Sequence, residues 1–149
     1  MSVNIEIDDT MVQRAFDGLS PKQLRTATKQ GLRRAVNVIK REAVKNYKSA
    51  YPDSIRHKYI HMKVYRSGTG AMVDLLFLKK DKEARPYVMR FQNKGTAMRA
   101  TKAGYNRGFM PASEFFTEAV RSKKAQAESM LMRSVREAVV KKARKEGLV

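Results

Sequence analysis

The side chains in this sequence best suited to acid–base or metal chemistry are those of His57 and His61. On a helix, a spacing of four residues would bring both imidazoles to one side, where they could share a metal ion. The surrounding alternation of apolar and polar residues predicts a strand instead, with the two imidazoles on one face about 13 Å apart. The chain has no cysteine, and Asp53 is the nearby carboxylate. We therefore predict no metal site and no cofactor.

Paired carboxylates, a frequent feature of acid–base catalysis, occur at Asp8 with Asp9 and at Asp81 with Glu83. Both pairs lie among polar residues that would keep them hydrated, so we interpret them as surface charges. Glu42 falls on the apolar side of a predicted helix, where an ion pair with the next or previous turn is a simpler explanation than catalysis. These patterns favour a protein that is not an enzyme.

The composition points to an anionic partner. The chain has 149 residues, with 32 Lys plus Arg against 14 Asp plus Glu, for a formal net charge of +18. Such an excess is typical of proteins that bind nucleic acid, membrane surfaces or acidic proteins. The length fits one domain over residues 1–149. With no signal-peptide pattern and no long apolar run, we expect a soluble protein without a membrane partner, made in the cytoplasm.

Helical spacing of apolar residues predicts a short helix at residues 10–19 and two long helices. The first long helix runs from Pro21 to about Tyr51, with Ser20 as its N-cap. The second begins near Pro111 and Ser113 and continues almost to the end of the chain.

Period-two alternation predicts strands at residues 3–7 and 58–66. The run 72–78 is more continuously apolar, which predicts a strand in the centre of the sheet, and a further strand is predicted at residues 87–92. Short turns, such as residues 67–70, join the last three into an antiparallel meander. The predicted fold is therefore α+β: an antiparallel sheet of three to four strands packed on one face by two long helices.

One side of the first long helix is basic. Its spacing would let the cations follow a phosphate backbone, although a solvated helix face explains the pattern equally well. The residues of this predicted basic face are Lys22, Arg25, Lys29, Arg33 and Lys40.

A long basic loop is predicted at residues 93–110. No acid occurs between residues 84 and 113, so repulsion disfavours collapse of the loop onto itself, and we expect a partner to order it. Glycines provide backbone freedom, and apolar side chains provide anchors for another surface. The predicted partner interface comprises Arg90, Lys94, Gly95, Thr96, Arg99, Lys102, Tyr105, Arg107, Phe109 and Met110.

Two short motifs flank this loop. The first motif is YVMRFQNKGT, in which the matching residues are Tyr87, Phe91, Gly95 and Thr96. The second motif is PASEFFTEA. The second contributes Pro111, Phe115, Phe116 and Ala119. With the order of elements over residues 20–145, these motifs resemble the tail-completion (minor tail protein Z-like) morphogenesis proteins of tailed bacteriophages. Gln92-Asn93-Lys94 departs from the acidic residue usual in that family before Gly-Thr, and the loop is longer than the family's.

The resemblance implies a non-enzymatic virion protein at the head-proximal end of a tail. It would join head to tail through contacts with head-closure, connector or tail-tube proteins, as a homo-oligomeric ring such as a hexamer. Genomic DNA would be a secondary contact. The residues leave an alternative open: a basic RNA- or DNA-binding protein, such as a small ribonuclease-type toxin. In that case His57, His61, Tyr65 and Arg66 would be the residues to test.

Overall fold

The computed structural model describes residues 2–6, 20–75, 85 and 87–145. Its elements, in chain order, are β1 (Ser2–Glu6), α1 (Pro21–Ala50), a 3-10 helix (Ile55–Tyr59), β2 (Ile60–Val64), β3 (Gly70–Leu75), α2 (Val88–Lys94) and α3 (Phe115–Lys145). The predicted helix at residues 10–19 and the connection between β3 and α2 lie outside the described residues, apart from Arg85. Within the described part, no helix has both the length and the apolar character that crossing a membrane takes.

Local signals set both ends of α1, as predicted. Ser20 has extended backbone dihedral angles, and its N–H donates to the side-chain oxygen of Gln23 at 3.3 Å. Pro21 occupies the first helical position, where a missing N–H costs nothing because that group has no partner within the helix. The helix ends at Ala50, and Pro52 follows two residues later.

The described sheet is antiparallel, with strand order β1-β3-β2. The central position of β3 agrees with its continuous apolar sequence. In register, Ile60 lies opposite Leu75 and Val64 lies opposite Ala71. Burial alternates along β3, so Ala71, Val73 and Leu75 face the core.

The two long helices run antiparallel to each other. Near one end of the pair, the Asn46 amide donates to the carbonyl of Phe115 at 3.2 Å. Further along, Arg34 pairs with Glu137 at 3.4 Å. A Cβ added at Gly31 would lie 2.9 Å from Cδ1 of Leu131, so this glycine permits the close approach of the helices.

The core lies around α1, which packs against β2 and β3 on the sheet side and along α3. The α+β class with an antiparallel sheet is thus confirmed. The expected packing of both long helices on the sheet is corrected, because α3 packs mainly on α1. Fully buried side chains from these elements include Tyr47, Phe116, Leu32, Ile39, Ile60, Leu75 and Met89.

The predicted strand at residues 87–92 is wrong, since Val88–Lys94 form the helix α2. Its buried residues are Met89, Gln92 and Asn93, whose three- and four-residue spacing is helical. Of the three strands in the predicted meander, the structure has β2 and β3. The second neighbour of β3 in the sheet is β1. Helix α3 starts at Phe115, later than predicted, because Glu114 has φ of 49°, outside the right-handed helical region.

A clamped basic hairpin as candidate interface

The predicted loop is a hairpin with its own backbone hydrogen bonds. The N–H of Thr96 donates to the carbonyl of Met110, and the Met110 N–H donates to Oγ1 of Thr96, both at 2.9 Å. Nearer the tip, the Arg107 N–H donates to the Arg99 carbonyl at 2.6 Å, while the Arg99 N–H donates to the Gly108 carbonyl at 3.1 Å. Arg99 on one arm is thus bonded to two residues on the other arm, Arg107 and Gly108, as in a β-bulge.

The hairpin closes in a tight turn. The Thr101 N–H donates to the Tyr105 carbonyl, and the Gly104 N–H donates back to the Thr101 carbonyl, both at 2.9 Å. Gly104 has φ of 82°, and a Cβ there would meet no atom within 4 Å. Main-chain bonds hold this segment, so its charged side chains need not pack on one another. The expectation that a partner orders it stays a prediction.

Gly95 fixes the base of the hairpin, where two backbones come very close. Its φ is 74°, and its N–H donates to the Phe91 carbonyl at 2.7 Å, ending α2. A Cβ at this position would lie 2.8 Å from the Met110 carbonyl oxygen and 2.9 Å from the Ala112 nitrogen. Glycine is therefore required here for both conformation and space.

Asn93 joins α2 to the start of α3. This side chain is 1 % exposed, and its Oδ1 accepts the N–H groups of Phe116 at 2.8 Å and Thr117 at 3.3 Å. Its Nδ2 donates to Oγ1 of Thr117 at 3.0 Å. Asn93 thus satisfies N-terminal donors of α3 from outside that helix.

Gln92 completes a set of buried polar contacts, made by Asn93, Gln92 and Tyr47, that we call the clamp. Its carbonyl accepts the N–H of Ser113 at 2.9 Å and the Ser113 hydroxyl at 2.7 Å. Its side-chain oxygen accepts the buried hydroxyl of Tyr47 at 2.9 Å. The Tyr47 ring also meets Phe115 edge-on, with 4.9 Å between centroids. The hairpin base is therefore bonded to the core through α1.

The arms of the hairpin present large apolar side chains to solvent. Met98 is 67 % exposed, Tyr105 74 % and Phe109 64 %. Met98 and Phe109 lie between the same two bonded pairs, Thr96–Met110 and Arg99–Gly108, so they are neighbours across the ladder. Such exposure of apolar groups on a rigid element is typical of interfaces.

Cations surround these apolar groups. The side chains of Arg99, Lys102 and Arg107 are exposed, and within the described part of the chain none of them forms an ion pair. Nearby, Tyr87, the N-cap of α2, and Phe91 on α2 are half-exposed, and their rings meet edge-on with 6.3 Å between centroids.

The predicted interface residues consequently divide into two groups. Gly95, Thr96 and Met110 are half-buried and build the hairpin base. The exposed members are Arg90, Lys94, Arg99, Lys102, Tyr105, Arg107 and Phe109.

Comparisons with known proteins give no match, whether the chain is compared with protein-family models, curated proteins or solved structures. The resemblance to phage tail-completion proteins therefore rests on the two short motifs, because the predicted order of elements had a strand at residues 87–92, where the structure has α2. In the structure, both motifs belong to the clamp. The first contains Gln92, Asn93 and Gly95, and the second places Phe115 and Phe116 in the core.

The predicted basic face of α1 does not form a continuous exposed track. Nε of Arg25 donates to the Arg66 carbonyl at 2.9 Å, and Nη2 donates to the same oxygen. Lys29 packs beside the β2–β3 turn and is half-buried, as is Lys40. Lys22 and Arg33 are exposed. This division weakens the interpretation of the face as a phosphate-binding track.

The residues of the nuclease alternative are spread along the fold. His57 lies in the 3-10 helix, with Nδ1 3.1 Å from the carbonyl oxygen of Ser54, whereas His61 lies on β2. The predicted placement of both on one strand is thus wrong. Arg66 follows β2, about 16 Å along the chain direction from His61. No group of three potential metal ligands occurs among the described residues. Glu42, as interpreted from sequence, pairs with Lys45 at 3.5 Å.

The clamp residues Asn93, Gln92 and Tyr47 were not predicted from sequence. An adjacent amide pair immediately before a Lys-Gly step, flanked by apolar residues, was the available signal. Their roles depend on contacts between segments far apart in the chain, which periodicity does not reveal.

Proposed function

We propose that this chain is a non-enzymatic structural protein at the head-proximal end of a phage tail, in the virion neck. In this proposal it acts as a tail-completion, terminator or neck component and joins head to tail by protein–protein contacts. It assembles in the host cytoplasm as a homo-oligomeric ring such as a hexamer. The observation that carries the proposal is a hairpin clamped to the core that exposes apolar and cationic side chains.

The clamp supports this proposal because a preformed hairpin loses little conformational entropy when it docks. Met98, Tyr105 and Phe109 are residue types that provide much contact area in protein interfaces. Arg99 and Arg107 flank them and can form charge-assisted hydrogen bonds with carboxylates on the partner.

The charge of the chain favours an acidic protein partner for most of the basic surface. Copies carrying +18 each repel one another in a ring unless acidic neighbours or DNA offset the charge. Many contacts with phosphate would slow the passage of DNA through a ring of these proteins. DNA contact is accordingly a secondary part of the proposal.

Loss of the exposed apolar groups tests the interface directly. The variant Met98→Ser/Tyr105→Ser/Phe109→Ser should keep the melting temperature of the parent chain, since these side chains are exposed. It should lose ring formation, measured by sedimentation velocity, and incorporation into particles in a complementation assay. The matched control is Ile55→Ser, because Ile55 is 61 % exposed and lies outside the hairpin.

Two outcomes would contradict this proposal. One is a triple variant that assembles and complements like the control. The other is a gene neighbourhood with an antitoxin in place of portal, capsid and tape-measure genes.

A further inference from the structure

An open cleft lies where the first turns of α1 pass the last turns of α3. Its volume is about 410 Å³. Ala27 and Ala138 contribute small apolar side chains to it, one from each helix. The remaining lining residues are polar or basic: Lys22, Gln23, Thr26, Gln30, Lys141 and Lys145.

The polar groups of the cleft are mostly donors. Lysines at positions 22, 141 and 145 contribute three ammonium groups, and no carboxylate is among the described lining residues. The side-chain oxygen of Gln23 accepts the Ser20 N–H, which leaves its NH₂ to donate. The hydroxyl of Thr26 donates to the Lys22 carbonyl at 2.9 Å.

The acid nearest to these lysines within the described residues of α3 is already engaged. Each carboxylate oxygen of Glu137 pairs with an arginine, Oε2 with Arg34 at 3.4 Å and Oε1 with Arg133 at 3.0 Å. The first turn of α1 contains no acidic residue, so the partial positive charge of the helix N-terminus adds to the lysines. The cleft is therefore lined by three lysines and by no carboxylate among the described residues.

We infer that this cleft binds an acidic peptide segment of a partner protein. The carboxylates of the segment bind the ammonium groups of Lys22, Lys141 and Lys145. An apolar side chain between them packs on Ala27 and Ala138, and the amides of Gln23 and Gln30 pair with its backbone.

Peptide fits this lining better than nucleic acid. No aromatic residue that could stack on a base is among the described lining residues, and no arginine that could hold a phosphate by two bonds. The Gln30 amide has the donor and acceptor that a peptide backbone needs, and the NH₂ of Gln23 adds a donor. The volume is also in the range of specific ligand sites, about 300–1,000 Å³.

The cleft lies far from the hairpin. Contacts of Asn46 with Phe115 and of Arg34 with Glu137 place the two features at opposite ends of the α1–α3 pair. A helix of 30 residues spans about 45 Å. This inference therefore does not depend on the proposed function of the hairpin.

The test uses the full chain and a short fluorescent peptide in which glutamates flank one leucine. In fluorescence anisotropy, Lys22→Gln/Lys141→Gln/Lys145→Gln should weaken binding at least about tenfold. The matched control Lys48→Gln/Lys63→Gln/Lys124→Gln removes the same charge from exposed positions elsewhere and should change binding less than about threefold. Replacing the peptide leucine by serine should also weaken binding.

Equal losses of peptide affinity in the two triple lysine variants would overturn the inference, because attraction by net charge alone would then explain binding. The inference would also be overturned, in favour of nucleic acid, if Lys22→Gln/Lys141→Gln/Lys145→Gln lost more affinity for a single-stranded oligonucleotide than for the peptide. The hairpin variant Met98→Ser/Tyr105→Ser/Phe109→Ser should bind the peptide normally. Loss of binding in that variant would assign the peptide to the hairpin and overturn the cleft as its site.

Discussion

The two ends of the α1–α3 pair carry positive charge on surfaces of opposite shape. At one end, the hairpin projects exposed apolar groups with Arg99 and Arg107 around them. At the other end, Lys22 and Lys141 line an open cleft together with Ala27 and Ala138. A projecting hairpin suits insertion into a groove on a partner, whereas a cleft suits reception of an extended segment.

The two ends also differ in how they are held. The hairpin depends on a buried polar clamp, in which Asn93 and Gln92 bond to α3 and Tyr47. The cleft depends only on the spacing of two helices, which close contact at Gly31 brings together. Substitutions in the clamp should therefore affect stability and the hairpin together, while substitutions in the cleft should change binding without unfolding.

The largest expected effect is that of Phe116→Ala, which removes a ring that is fully buried where the clamp meets the core. Loss of such a side chain leaves a cavity and costs about 3–5 kcal/mol of unfolding free energy. Urea denaturation followed by circular dichroism measures the change. A loss under 1 kcal/mol, on the order expected for a surface site, would show that this end is not part of the core.

A matched pair of glycine substitutions separates the base of the hairpin from its tip. Gly95→Ala combines a strained φ with a clash against the Met110 carbonyl and should cost more than the roughly 1–3 kcal/mol of strain alone. Gly104→Ala has a similar φ but open space around it, so it should cost about 1–2 kcal/mol. Equal melting temperatures for the two variants would contradict the close approach at Gly95.

Removal of the external cap by Asn93→Ala should cost about 1–3 kcal/mol, because buried N–H groups of α3 lose their acceptor. Asn93→Asp keeps the acceptor oxygen and adds a negative charge at a helix N-terminus, so it should cost less than Asn93→Ala. Thermal melting compares the two. An aspartate variant as unstable as the alanine variant would indicate that the bond from Nδ2 to Thr117 matters more.

The smallest effect is expected for His57→Ala/His61→Ala, since neither side chain is part of the hairpin, the clamp or the cleft. Assembly should be unchanged, and the parent chain should cleave neither RNA nor DNA. Gel assays with labelled substrates provide the measurement. Cleavage by the parent chain that the double variant lacks would favour the ribonuclease-type alternative over a structural role.

The sequence predicted what depends on neighbours along the chain. The capped start of α1 at Ser20, its end before Pro52 and the central apolar strand β3 all follow from local patterns. Residues 87–92 were misassigned because so short a run fits helix and strand spacing equally well. The amide contacts of Asn93 join α2 to the start of α3, 23 residues along the chain. The cleft between residues 22 and 141 needs an antiparallel α1–α3 pair, whose facing segments are about 120 residues apart, and periodicity reveals neither arrangement.

The most direct test of the central claim, that the hairpin is an interface rather than a support for the fold, replaces residues 97–109 by a short Gly-Ser link. The change retains Gly95, Thr96 and Met110, so the clamp keeps its bonds. We predict a melting temperature close to that of the parent chain together with loss of rings and of infectious particles. A variant that melts normally and still assembles would contradict the claim, because the hairpin would then be only a solvated connection.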